Sequence, residues 1–275
     1  MVVSFPMKHS LLRAALAVAL LAALPVAAQQ DYDCIIEAKQ VVDIRSPVDG
    51  LIEKVAVERG EAVKKGQVLV TLESGPERAA LAVAKQRAGA IGAVNLAEAK
   101  LDLAAKKEKR AEELARQAFI SSNALEEART ERSLAESDLK VARENQRLAE
   151  LEVQRATELL NLRTIRSPVN GVVVDRYLKT GEMAVTNVKD PILRLAEIDP
   201  LNVEVILPAT LYGSIQQGDR AEVSPETPPQ KFTARVKVVD RVINAASGTF
   251  GVRLELPNEK FLVPAGAKCR MRFLK

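Results

Sequence analysis

Ile44-Arg45-Ser46-Pro47-Val48-Asp49-Gly50 recurs 121 residues later as Ile165-Arg166-Ser167-Pro168-Val169-Asn170-Gly171, with one conservative change. The offset persists: Gly60-Glu61 returns as Gly181-Glu182. Self-similarity at a fixed spacing marks a repeated structural unit, so the fold has to be read from it. Each copy reads as short strands divided by turns. Ser-Pro-Val-Asx-Gly suits a turn, with Gly50 and Gly171 at a position expected to need positive φ. Residues 51–57 are strand-like, Arg59-Gly60 turns the chain, and 67–72 form a β-branched strand. A copy of about 30–35 residues cannot bury a core alone, whereas two facing copies make one small β-sandwich.

What separates the copies differs from them in kind. After Pro76, tolerated at the start of a helix, come almost ninety residues rich in Ala, Leu, Glu, Lys, Arg and Gln. Ala90, Ala97, Ala104, Ala111 and Ala118 are spaced by seven in the first part, with Val94, Leu101 and Ala115 beside them. Ala128, Ala135, Ala142, Ala149 and Ala156 repeat by seven in the second, with Leu125, Leu139, Val153 and Leu160 between. Heptads sustained this long predict an antiparallel coiled-coil hairpin, and alanine on both seams predicts close helix approach. Arg87, Glu108, Arg132 and Gln146 interrupt the seams. The break is expected at 118–123, with Asn123 and Glu126 as a capping box for the returning helix. Arms of about 40 residues reach roughly 60 Å.

The N-terminus carries an address. Lys8, His9 and Arg13 precede an unbroken apolar run at 14–24, and Val26-Ala27-Ala28 offers small residues for cleavage. Residues 1–28 therefore read as a secretory signal; the run is too short to span a membrane. Removing it takes two of the 40 basic residues and none of the 36 acidic ones, which leaves a near-neutral chain. A sequence pI of 9.0 is then no case for nucleic acid. The only histidine, His9, would go with the signal, so a Ser/His/Asp triad is excluded and metal sites are poorly served. Aromatics are 3% of the chain, which argues against stacking platforms and large aromatic pockets. No catalytic residue, cofactor or metal ligand is expected.

From Asp199 the pattern becomes short alternating strands punctuated by Gly213, Gly218, Pro225, Pro228 and Pro229. Some 75 residues of this kind predict a small β-barrel. The whole is a multidomain α+β chain: signal 1–28, first sandwich half 34–74, helical hairpin 75–163, second sandwich half 164–198, and barrel 199–275.

The two copies resemble the halves of a biotinyl/lipoyl-like domain, "GEAVKKGQVLVTLES" at 60–74 being the most recognisable stretch. Carrier proteins of that kind present a modified lysine on a tight hairpin between the halves. Here the helical insertion takes that place and no Met-Lys-Met tip is present, so a biotin or lipoyl carrier is the lesser reading. Lys64, Lys65 and Lys179 read as solvated turn residues. A lipoyl-like sandwich split by a hairpin and followed by a barrel, together with "SGTFGVRLELPNE" at 247–259 and Pro264-Ala265-Gly266, resembles the periplasmic adaptors, or membrane-fusion proteins, of tripartite efflux systems.

The resemblance implies a non-catalytic periplasmic subunit. It would form a ring, expected to be a hexamer, between an inner-membrane efflux transporter and a TolC-type outer-membrane channel. Pumps of the resistance-nodulation-division class are implied first and ATP-driven exporters second; an unrelated coiled-coil scaffold keeps the fold without the transport role. Family members that dock on TolC-type channels carry Arg, Leu and Ser in the spacing of Arg110, Leu114 and Ser121. The plainer reading makes these a solvated residue, a seam residue and a cap. Metal-efflux adaptors are disfavoured, since Met183 and Met271 are the only methionines past the signal. Cys34 and Cys269 are either a disulfide or two buried thiols; the implied fold brings the two ends together and an oxidising compartment favours the disulfide. Cys34 lacks a lipoprotein pattern. Larger members add a membrane-proximal domain from both chain ends. About 15 residues precede the first copy here, so that domain is expected to be missing or reduced to a stub, with the barrel as the transporter contact.

Overall fold

The computed structural model describes residues 1–4, 30–186 and 190–274; most of the signal, with His9, lies outside the described residues. In chain order the elements are β1 (Tyr32–Ile44), β2 (Gly50–Val55), β3 (Ala62–Val63), β4 (Val68–Leu72), α1 (Gly75–Ala88), α2 (Gly92–Arg116) and α3 (Ser122–Asn161). They continue as β5 (Thr164–Arg166), β6 (Gly171–Arg176), β7 (Met183–Ala184), β8 (Leu193–Pro208), β9 (Arg220–Pro225), β10 (Phe232–Val239), β11 (Thr249–Leu256) and β12 (Lys268–Leu274). The chain divides into two compact units, one of Glu37–Asn202 with Pro257–Ala265, the other of the remaining segments.

In the first unit the repeat becomes a pseudo-twofold. Strands β5-β4-β2-β7 form one sheet, and β8-β6-β3 run in the other. Gly50 pairs with Ala184 and Leu51 with Met183; one repeat away, Val63 pairs with Gly171 and Ala62 with Val172. The backbone bonds are reciprocal: Gly60 N–H donates to Val173 O (2.8 Å) and Gly181 N–H to Ile52 O (2.9 Å). Likewise the Thr186 N–H donates to Asp49 (2.6 Å) and the Lys65 N–H to Asn170 (2.9 Å). The buried core is built from repeat-related pairs: Ile44 and Ile165, Ile52 and Val173, Val63 and Ala184, Leu72 and Leu193. Each half supplies the partner strands that the other lacks, so neither folds without the other.

The glycines divide into two kinds. Gly60 and Gly181 take φ of +84° and +89°, a region costly for other residues. Gly50 and Gly171 open β2 and β6 without positive φ, contrary to the sequence expectation. What they need is room. A Cβ on Gly171 would overlap the Ala196 carbonyl oxygen, and one on Gly50 would lie 2.6 Å from the Arg163 guanidinium.

The hairpin packs α1 and α2 on the unbroken α3. Its seam is thin: Ala84, Ala97, Ala104, Ala135, Leu139 and Ala156 are the buried residues. Two seam expectations fail at the ends of α2. Ala90 is exposed in a break between α1 and α2, where Gly89 and Gly92 weaken the helix, and Ala118 sits in the turn at φ 58°. Two of the residues that interrupt the heptads answer one another, Arg132 donating to Glu108 (3.0 Å), and a third, Gln146, donates its amide to the Ala88 carbonyl at the break.

In the second unit, sheet order runs β1-β12-β9-β10-β11-β8, and β8 also pairs with β1, closing a six-stranded barrel. Alternation supplies its core, from Val203, Val205, Val223, Val236, Leu254 and Met271. The sequence expectation began the barrel at 199. It also takes the start of β1, where Tyr32 to Ile35 pair with Met271 to Lys268. Cys34 faces Cys269 in that register and the two form a disulfide across 235 residues.

Candidate functional site at the hairpin tip

The far end of the hairpin is a short turn between α2 and α3, and it gathers the residues singled out from sequence. Arg110 and Leu114 lie four residues apart, on one face of the last turns of α2. Arg110 is exposed, its Nε donating to the Lys106 carbonyl at 3.3 Å. Leu114 is 43% exposed, and its carbonyl accepts from Phe119 N–H at 3.0 Å, which folds the turn back on α2. Ser121 caps α3: it is extended (φ −71°, ψ 158°) and its hydroxyl oxygen accepts from Ala124 N–H at 3.2 Å. The expected Asn123–Glu126 capping box is thus displaced, because Ser121 supplies the acceptor two residues earlier and α3 begins at Ser122.

Sequence reasoning missed Phe119. It is 73% exposed at the apex, between Leu114 and Ser121. The signal was available as a lone aromatic in a helix-forming stretch at the point where the heptads stop. The tip therefore presents a guanidinium, two apolar side chains and a hydroxyl whose proton remains to donate. That set suits a protein surface offering carbonyls or carboxylates beside an apolar groove.

At the opposite end, the hairpin leaves and re-enters the sandwich within about one strand width. Ser74 is buried, its hydroxyl accepting from Arg78 (2.9 Å). Arg163 donates to Glu77 (2.6 Å) and to the Asp49 carbonyl (2.8 Å). The Thr186 N–H holds the Asp49 carboxyl below the usual carboxylate range. Lys64, Lys65 and Lys179 lie in sandwich turns through their backbone N–H groups, which donate to Gln67, Asn170 and Glu182. Among the described residues no group of three or more His, Cys, Asp or Glu is placed to hold a metal, and no helix is long and apolar enough to cross a membrane.

Residues 40–197 match the family model of the CzcB-like barrel-sandwich hybrid domain, and 201–275 that of the CusB-like beta-barrel domain. The chain is similar to the cobalt-zinc-cadmium resistance protein CzcB of Cupriavidus metallidurans and to the cation efflux system protein CzcB of an Alcaligenes species. It is 24% identical to each over 76% of this chain and 38% of theirs, so it spans about two fifths of the length of the curated relatives it matches. In fold it is similar to MacA from Actinobacillus actinomycetemcomitans, with a TM-score of 0.71 at 21% identity over 89% of this chain and 78% of that one. The chain belongs to the membrane-fusion, or periplasmic adaptor, family, with a sandwich of the CzcB-like type, and is most like the adaptor subunits of resistance-nodulation-division pumps.

Proposed function

We propose that the protein is a non-catalytic periplasmic adaptor that bridges an inner-membrane efflux transporter of the resistance-nodulation-division type to a TolC-type outer-membrane channel. One observation carries the reading: a long hairpin inserted between the two halves of a sandwich bears an exposed Arg110, Leu114, Phe119 and Ser121 at its far end. In this reading Arg110 makes charge-assisted hydrogen bonds to the channel, Leu114 and Phe119 fill an apolar groove, and the Ser121 hydroxyl bonds at the turn. Side-by-side assembly into a six-membered ring is supported by exposed apolar residues at heptad spacing on both arms: Leu96 and Leu103 on α2, and Leu134, Val141 and Leu148 on α3. The barrel, closed by β1 and the Cys34–Cys269 disulfide, is the proposed contact for the transporter. An ATP-driven exporter is the second candidate transporter. A biotin or lipoyl carrier is disfavoured because α1 to α3 occupy the place of the carrier's lysine hairpin.

The name of CzcB assigns that relative cobalt, zinc and cadmium. For this chain the adaptor role is proposed without a metal site of its own, since Met271 is buried in the barrel and Met183 stands alone on the sandwich surface.

The test is Arg110→Asp in cells, with efflux of a transported compound as readout and expression and melting temperature as controls. Efflux is expected to fall to the level of a deletion strain, because a buried guanidinium–acceptor contact replaced by like charge is repulsive. Wild-type efflux from the folded variant would contradict docking through the tip.

A further inference from the structure

The pseudo-twofold of the sandwich fails at one telling place. The position one repeat before Arg163 is Val42, an apolar residue packed against the sandwich core. In the half that receives the hairpin, the same position carries a guanidinium. The two repeat-related glycines differ as well: Gly171 makes room for the Ala196 backbone, whereas Gly50 makes room for Arg163.

Arg163 stands where three elements meet. Its carbonyl accepts from Leu72 N–H (2.8 Å), which fixes its backbone in the sandwich beside β4, and its N–H donates to Leu160 O (3.0 Å) at the end of α3. Its side chain reaches Glu77 in the first turn of α1 (2.6 Å) and the Asp49 carbonyl in the first-copy turn (2.8 Å). Glu77 and Arg163 keep only 17% and 22% of their side-chain surface exposed. The second Glu77 oxygen is buried with no hydrogen-bond partner among the described residues. Without the guanidinium, that carboxylate would lack its counter-charge and draw water into the root.

We infer that Arg163 is the positioning residue that fixes the hairpin on the sandwich, by tying both arms and the Asp49 turn into one planar, two-forked contact. Its consequence for docking rests on the adaptor reading above: a long lever magnifies any looseness at its root into displacement of the tip. Arginine is required rather than lysine, because one Nη bonds Glu77 while the other bonds Asp49.

The experiment measures distances between nitroxides on Lys65→Cys and Ser133→Cys, both exposed, in the purified full-length protein with no channel present. Labelling is selective because, among the described residues, there is no free cysteine. Wild type is expected to give one narrow distance distribution. Arg163→Ala is expected to at least double its width, with Arg163→Lys and Glu77→Gln in between. A width in Arg163→Ala equal to that of wild type would overturn the inference. Should that variant not fold, equal widths in both milder variants would overturn it instead. The distances do not depend on a channel, so a negative Arg110 efflux result with a broadened Arg163→Ala distribution would sink the docking proposal and leave this inference standing.

Discussion

The sandwich and the hairpin alternate along one chain and hold together by opposite means. The sandwich buries Ile52, Leu69, Leu72, Leu193 and Leu195 almost completely, and its strand starts lie so close that Gly171 admits no side chain. The hairpin buries mainly alanine and leaves Leu96, Leu103, Leu134 and Leu148 open to solvent. Its arms are laced by Lys107–Glu131 and Arg143–Glu98, solvent-facing pairs of a kind worth little each, and by Arg132 on a largely buried Glu108. The contrast bears on where the proposed partners would bind: the sandwich is finished by its own two halves, whereas the hairpin keeps an apolar outer stripe, the kind of surface that marks protein contacts.

Four expected outcomes sharpen or break that contrast. The largest concerns the barrel, which shares the sandwich's dense core and adds a covalent tie. Replacing Cys34 and Cys269 by serine releases a loop of 235 residues, and a loss of about 4 kcal/mol in denaturant unfolding is expected. An unchanged midpoint would show that β1 is held by its ladder alone. Next, Gly171→Ala forces a Cβ against the Ala196 backbone and is expected to cost about 3 kcal/mol, whereas Gly50→Ala meets a side chain, pushes the Arg163 guanidinium off the Asp49 carbonyl and costs about 1.5 kcal/mol. Equal losses would erase the distinction between the two glycines. Within the hairpin, Leu139→Ala should cost about 2 kcal/mol and Val141→Ala less than about 0.5 kcal/mol in the isolated protein. A large loss for Val141 in the monomer would mean that the outer stripe supports the hairpin itself.

The smallest effect is a pH dependence. The Arg194 guanidinium bonded to Asp43 (2.7 Å) holds that carboxyl below its ordinary 3.8. With the folded value lowered, its contribution is complete above the unfolded value and is lost as pH falls from there through the folded one. Acid titration of the Asp43→Asn variant should therefore diverge fully from wild type above the ordinary carboxylate value of 3.8 and converge with it only once the pH has fallen through the lowered folded value. Parallel curves throughout would show that the pair contributes nothing.

Much of this was legible in the sequence, and the rest was hidden for identifiable reasons. The 121-residue offset announced the sandwich because both halves keep the same turn chemistry, and Ser46 and Ser167 indeed donate to Val48 and Val169 in matching turns. The heptads announced the hairpin because alanine at every seventh position has no other simple use. The break after Ala88 was obscured by Ala-Gly-Ala-Ile-Gly, where two weak helix positions decide against a local pattern that otherwise continues. The role of Gly50 depends on a side chain 113 positions away, and the barrel role of β1 depends on pairing with the far end of the chain. Neither leaves a mark in a local window. The tip motif was legible as a spacing, whereas Phe119 needed the turn to show that it points outward.

The most direct measurement is in-cell crosslinking from a photoreactive amino acid at Phe119, with one at Leu148 on the shaft for comparison. A crosslink from Phe119 to an outer-membrane channel protein is expected, and one from Leu148 to a second copy of this chain. Crosslinks from Phe119 only to other copies, or none to any outer-membrane protein, would contradict docking at the tip.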